Sequence, residues 1–179
     1  LDTLIRYPLL GQGVGAFEIV FYEHLLLTLI FSTVFFKSIP KITKMRKSHF
    51  LYFFIIGGIG SALSTMAFTK AFSLLNPSLV ILLQKFQPVV AIALAHIVLG
   101  EKVQKLFIFW AFICLIGALL ISYEDISQLD FYNKSFTEIF LGDGAIQGYL
   151  LVAFSVIGWG ASTVFGKKLI KIGDQDCLL

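Results

Sequence analysis

Apolar residues crowd into five stretches of this chain: Phe17 to Phe36, Phe50 to Leu75, Ser78 to Leu99, Leu106 to Tyr123 and Tyr149 to Leu169. Polar residues are pushed into the links between them. A bilayer core about 30 Å thick is crossed by about 20 residues of helix, so each stretch predicts one membrane span. The fourth, LFIFWAFICLIGALLIS, is apolar on every face and offers no side to water. The pattern predicts an all-α, polytopic membrane bundle.

The links predict how the spans are joined. Residues 1–16 hold Pro8, Gly11, Gly13 and Gly15 and read as an irregular lead-in. Asn76-Pro77 predicts a tight turn with Pro77 opening the third span, and Gly100 is placed to end it. The longest link, Glu124 to Gly148, carries Glu124, Asp125, Asp130, Glu138 and Asp143 against a single Lys134. It divides the chain into a first unit over 1–123, an acidic external loop over 124–147, and an opening helix of something new over 148–179. Small residues four apart recur at Gly57, Ser61 and Thr65, and again at Gly158, Ser162 and Gly166. That spacing lets membrane helices approach closely. The last span lacks following helices within the chain, so its line implies either further sequence or pairing with a second copy, a homodimer. The start at Leu1 shows no charged leader, apolar core and cleavage site, and reads as a processed end or a fragment edge.

Composition excludes a soluble domain. Of 179 residues, 58% are hydrophobic and 14% charged, and the mean hydropathy is +0.88. The net charge of +3 conceals an asymmetry. Lys37, Lys41, Lys44, Arg46 and Lys47 follow the first span, Lys102 and Lys105 the third, and Lys167, Lys168 and Lys171 the fifth. If every stretch crosses once, these fall on one side, and Arg6 and Lys134 on the other. Cytoplasmic loops carry the Lys/Arg excess, so residues 37–49 and the C-terminal end are expected in the cytoplasm. The basic loop KSIPKITKMRKSH is short and lies between two spans. Topology or attraction to anionic lipid explains it better than nucleic-acid binding. Cys114 lies inside a span and Cys177 near the chain end, so no disulfide framework is implied.

Charged side chains inside a span cost on the order of 2.5–3.5 kcal/mol at a helix centre, so those present ask for a reason. Away from the ends of the spans there are three: Glu23, Lys70 and Lys85, joined by His24 and His96. Lys85 is flanked by Gln84 and Gln87, and Pro88 removes the amide that would bond the carbonyl of Gln84. A cation, two amides and a freed carbonyl suit a ligand, and His96 shares the helical face of Lys85. The candidate substrate-binding set is therefore Lys85, Gln84, Gln87, Pro88, Glu23 and His96, in a slightly positive cavity that accepts a carboxylate or similar anion. The alternative is that Lys85 pairs with Glu23 to hold helices together. Glu23 and Lys70 are candidates for an ion pair or for carrying a proton, although Lys70 is long enough to reach the interface. Catalytic patterns are weak. GGIGSALS at Gly57 to Ser64 lacks the lysine spacing of a phosphate loop, and no HExxH or clustered metal ligands occur. Neither a cofactor nor a metal is expected.

From the second span into the third, AFTKAFSLLNPSLVILLQKFQPVVAIALAHIVLGEKV resembles EamA-type proteins of the drug/metabolite transporter superfamily. The shared parts are the two-residue turn at Asn76-Pro77, the mid-membrane Pro88 and the helix end at Gly100-Glu101. IGALLIS in the fourth span and IGWGASTVFGKK in the fifth fit the same scheme, over roughly residues 15 to 170. The resemblance implies a fold of two five-helix repeats of inverted topology, with the substrate site at their interface. Only helices two to six would be present here, residues 1–123 being a first repeat without its first helix. Glu101 would match the family's helix-end glutamate, or else be an exposed partner for Lys102 or Lys105. The family often has Arg near the outer start of helix two, where this chain has Tyr22-Glu23-His24.

These readings lead to a secondary transporter of small metabolites, amino-acid-like or organic-anion in kind, in a bacterial inner membrane, with the lipid bilayer and a small-molecule substrate as partners and no enzymatic activity. The alternatives are a helical scaffold or truncated relic that moves nothing, and a membrane-embedded hydrolase or transferase.

Overall fold

A computed structural model describes residues 2–42, 47–121, 123 and 144–176. The described residues are helical or in turns, with no strand among them. A π-helical turn at Asp2–Arg6 leads into α1 (Tyr7–Gly11). The remaining elements are α2 (Ala16–Ile42), α3 (Lys47–Phe54), a π-helical segment (Ile55–Leu63), α4 (Ser64–Ala71), α5 (Pro77–Gln84), α6 (Gln87–Leu99), α7 (Lys105–Ile121) and α8 (Gly144–Asp176). Among the described residues, four helices are long and apolar enough to cross a membrane: Ala16–Lys37, His49–Ala71, Pro77–Leu99 and Gly144–Ile172. α7, the fourth predicted span, is a shorter apolar helix of 17 residues. Most of the acidic link lies outside the described residues, as do 43–46 of the basic loop.

The ends of the elements follow local chemistry. The lead-in is helical rather than irregular, because Pro8 sits in the first turn of α1, where its missing N–H costs nothing. Gly13, at φ 87°, then turns the chain into α2. Glu18 in the first turn of α2 accepts from the Gly15 amide at 3.2 Å. Asn76 caps α5 by accepting from Ser78 N at 2.9 Å, directly ahead of Pro77. Gly100 closes α6 in the left-handed conformation, φ 67°, which a residue with a Cβ adopts only under strain.

α8 is the centre of the packing and touches the π segment, α4, α5 and α6. Its neighbours along the second span run in opposite order: Gly148 meets Leu75, Gly158 meets Ser64, and Ser162 meets Gly60. The two spans are therefore antiparallel. The core joins Phe68, Ala71, Phe72, Leu75 and Val80 to Val152 and Val156. Phe68 stacks edge-on with both Phe72 and Trp159, ring centroids 5.0 Å apart in each pair. Outside this core, α2 and α7 expose large apolar side chains, among them Leu26, Ile30, Phe36, Phe109, Trp110 and Phe112. Apolar surface on that scale suits a lipid solvent.

The small-residue lines meet within the chain, with a shift. Gly158 and Ser162 of α8 are used as expected, whereas Gly166 faces open space. On the second span the contact falls to Gly60 and Ser64 instead of Gly57 and Ser61. The π segment bonds i→i+5, so its wider turns rotate the face that the second span presents to α8. Ser64 shows the same offset, its hydroxyl donating to the carbonyl of Ile59 at 2.7 Å.

Candidate functional site

The third span is two helices in line. α5 stops at Gln84 and α6 starts at Gln87, with Lys85 and Phe86 in a turn between them. Lys85 N donates to Leu82 O at 3.0 Å and Phe86 N to Leu83 O at 3.1 Å, a tighter pattern than the i→i+4 ladder. Pro88 in the first turn of α6 supplies no amide to the carbonyls before it. From Pro77 the break lies about 12 Å along the span at 1.5 Å per residue, so it falls inside the bilayer if Pro77–Leu99 crosses. Backbone polar groups loosened there require partners, from the protein or a ligand.

Four of the six candidate binding residues lie in sequence at this break. Gln84 and Gln87 are half-buried, and Lys85 and Pro88 are exposed. The other two lie elsewhere. Glu23 is bound by Arg6, whose Nη2 lies 2.7 Å from both carboxylate oxygens. Arg6 is mostly buried, its side chain 12% exposed, against 39% for Glu23. Arg6, in the segment read as a lead-in, thus takes the place considered for Lys85. His96 is exposed near the end of α6, and its Nδ1 lies 2.7 Å from the carbonyl of Glu101. A carbonyl only accepts, so that nitrogen carries the proton. Lys70 is exposed in the last turn of α4.

Two polar links were not legible beforehand. His24 Nδ1 donates to Val20 O at 2.9 Å, which leaves Nε2 to meet Ser61 Oγ at 3.0 Å and tie α2 to the π segment. At the opposite end, Glu101 bonds Lys167 at 2.6 Å and Lys171 at 3.3 Å instead of its neighbours Lys102 and Lys105. The spacing of 167 and 171, one helical turn, was the available signal. The hydrogen bond from Lys167 holds the Glu101 carboxyl below the usual carboxylate range; partial burial opposes this and Lys171 adds to it. Lys168 sits over the ring of Tyr52, 5.8 Å from its centroid. The lysines after the fifth span therefore share one end of the bundle with the Gly100 corner. Among the described residues, no three His, Cys, Asp or Glu gather in a way that would hold a metal.

An all-helical bundle of membrane-length helices, one of them interrupted around polar residues, is an architecture that membrane transport proteins use. The chain belongs to the EamA-like transporter family, whose model matches residues 6–123. It is 33% identical over 157 residues to the riboflavin transporter ImpX of Fusobacterium nucleatum subsp. nucleatum, a match covering 86% of this chain and 50% of that protein. The chain thus spans about half the length of this relative. No solved structure matches it.

Proposed function

We propose that this chain is part of a secondary transporter that carries a small metabolite across a membrane by way of the break in the third span. One observation supports the reading above others: Gln84, Lys85, Gln87 and Pro88 gather where α5 and α6 separate. Lys85 and the N–H groups opening α6 favour a cargo rich in acceptor oxygens or nitrogens. Riboflavin, the cargo named for the relative, has ring carbonyls and nitrogens of that kind and is the first substrate to test. Amino-acid-like molecules and organic anions are the second reading, favoured by Lys85, which has no ion pair among the described residues.

In this reading, residues 1–123 hold helices two to five of the first repeat and α8 opens a second, inverted one. The membrane is a bacterial inner membrane, with residues 37–49 and the end of α8 in the cytoplasm, and coupling is to protons or to exchange. The test is riboflavin uptake into vesicles holding the protein of the natural reading frame, against Lys85→Ala inserted to the same level. Loss of uptake in the variant is expected. Equal uptake by both removes the site, and no uptake of riboflavin, amino acids or organic anions by the parent removes the transport reading.

A further inference from the structure

We propose that Glu101 is a positioning residue of the transport cycle, its carboxylate latching the α6–α7 corner to the end of α8 so that the path closes at the lysine-rich end. The inference rests on the transporter reading above and names a control point within it.

The corner is built as a stiff extension of α6. Gly100 N donates to His96 O at 3.1 Å, Glu101 N to Ala95 O at 3.4 Å, and His96 Nδ1 to Glu101 O at 2.7 Å. Whatever displaces α6 therefore carries Glu101 with it. α6 is separated from α5 by the turn at Lys85–Phe86, so it can swing without dragging the first half of its span. It packs against α8 at Gly160, where an added Cβ would come within 3.2 Å of Val90 and 3.3 Å of Ala91. That contact without a side chain lets the two helices pivot. Beside the corner, a cleft of about 280 Å³ between Ile92, Glu101 and Phe107 leaves it room to move.

The chemistry suits a catch that opens in every cycle. The three side chains are 37%, 52% and 56% exposed, for Glu101, Lys167 and Lys171 respectively. Exposed ion pairs hold weakly and re-form easily. One carboxylate holds two lysines a turn apart on α8, so neutralising it removes both ionic ties between the corner and α8 at once.

The experiment places a cysteine at the half-buried position one turn beyond the break, Val89→Cys, in the natural-length protein carrying Cys114→Ser and Cys177→Ser. Labelling by an impermeant maleimide is timed from each side of the vesicle. Glu101→Gln is expected to raise the rate several-fold from the lysine-rich side alone, and Lys167→Gln with Lys171→Gln to do the same. Glu101→Lys combined with Lys167→Glu and Lys171→Glu returns the rate to that of the parent. Bridging Glu101→Cys to Lys167→Cys with a disulfide-containing bis-maleimide, which spans the reach of the two side chains it replaces, stops riboflavin exchange until a reductant is added. Unchanged labelling in Glu101→Gln, failure of the charge swap to restore it, or exchange that continues through the cross-link overturns the latch. If the parent moves no cargo, the transport reading fails while the labelling rates still decide the latch.

Discussion

Arg6 Nη2 lies 2.7 Å from both carboxylate oxygens of Glu23, across 17 residues of sequence. The bond pins the N-terminal segment to α2 and neutralises a charge that a span would otherwise hold alone. Arg6→Ala leaves that carboxylate unpaired. Since Glu23 is 39% exposed, the expected loss lies between the limits for exposed and buried pairs, about 1–2 kcal/mol. Melting in detergent measures it. Arg6→Ala with Glu23→Gln should recover most of the loss, and no recovery would mean that the packing of Arg6, not its charge, matters.

A Cβ at Gly60 would collide with Ser162, and one at Gly158 with Ser64. Gly60→Val and Gly158→Val should each destabilise by about 1–3 kcal/mol, the usual cost of overpacking. Gly57→Ala, which meets nothing within 4 Å, is the control expected to melt with the parent. A control that falls as far as Gly60→Val would place the helix contact on the line predicted from sequence.

Ser61 links the π segment to His24 through Nε2 at 3.0 Å. Ser61→Ala removes that partner and should cost about 1 kcal/mol in detergent melting. His24→Ala should cost little more when added to Ser61→Ala, because the shared bond is already gone.

Acid should weaken the tie between Glu101 and its lysines. The folded carboxyl titrates below its usual 4.5, so its contribution is complete at neutral pH and is lost as pH falls past 4.5 and through the lowered value. The maleimide rate follows the thiolate and falls in acid for every variant, so the readout is the ratio of labelling rates at Val89→Cys, parent over Glu101→Gln at the same pH. That ratio should be low and constant at neutral pH and climb toward one as pH falls past 4.5. A ratio that stays low through acid would mean that the Glu101 carboxylate is not what holds the corner.

The span positions were legible because transfer from water to lipid is a sum over side chains and needs no knowledge of neighbours. The turn at Asn76-Pro77 and the end at Gly100 were legible because caps act over a few residues. Pro88 announced a weak point in the third span by its missing amide. The grouping of Gln84, Lys85, Gln87 and Pro88 needed no tertiary information, since they are four of five consecutive residues. Glu23 and His96 were expected to join them, and there the sequence was silent: their partners, Arg6 and the Glu101 carbonyl, depend on how the lead-in folds and how α6 ends.

What the sequence alone determined is that this chain is a set of apolar helices, roughly where the four of membrane length lie, and which links carry the lysines. All of that is written in local transfer energies and local hydrogen bonding. Only the tertiary structure decided which helices touch and through which residues: Gly60 and Ser64 against α8, Arg6 on Glu23, and Lys167 with Lys171 on Glu101. Those choices turn on helix rotation and register, and one i→i+5 segment in the second span shifts both in a way hydropathy does not record.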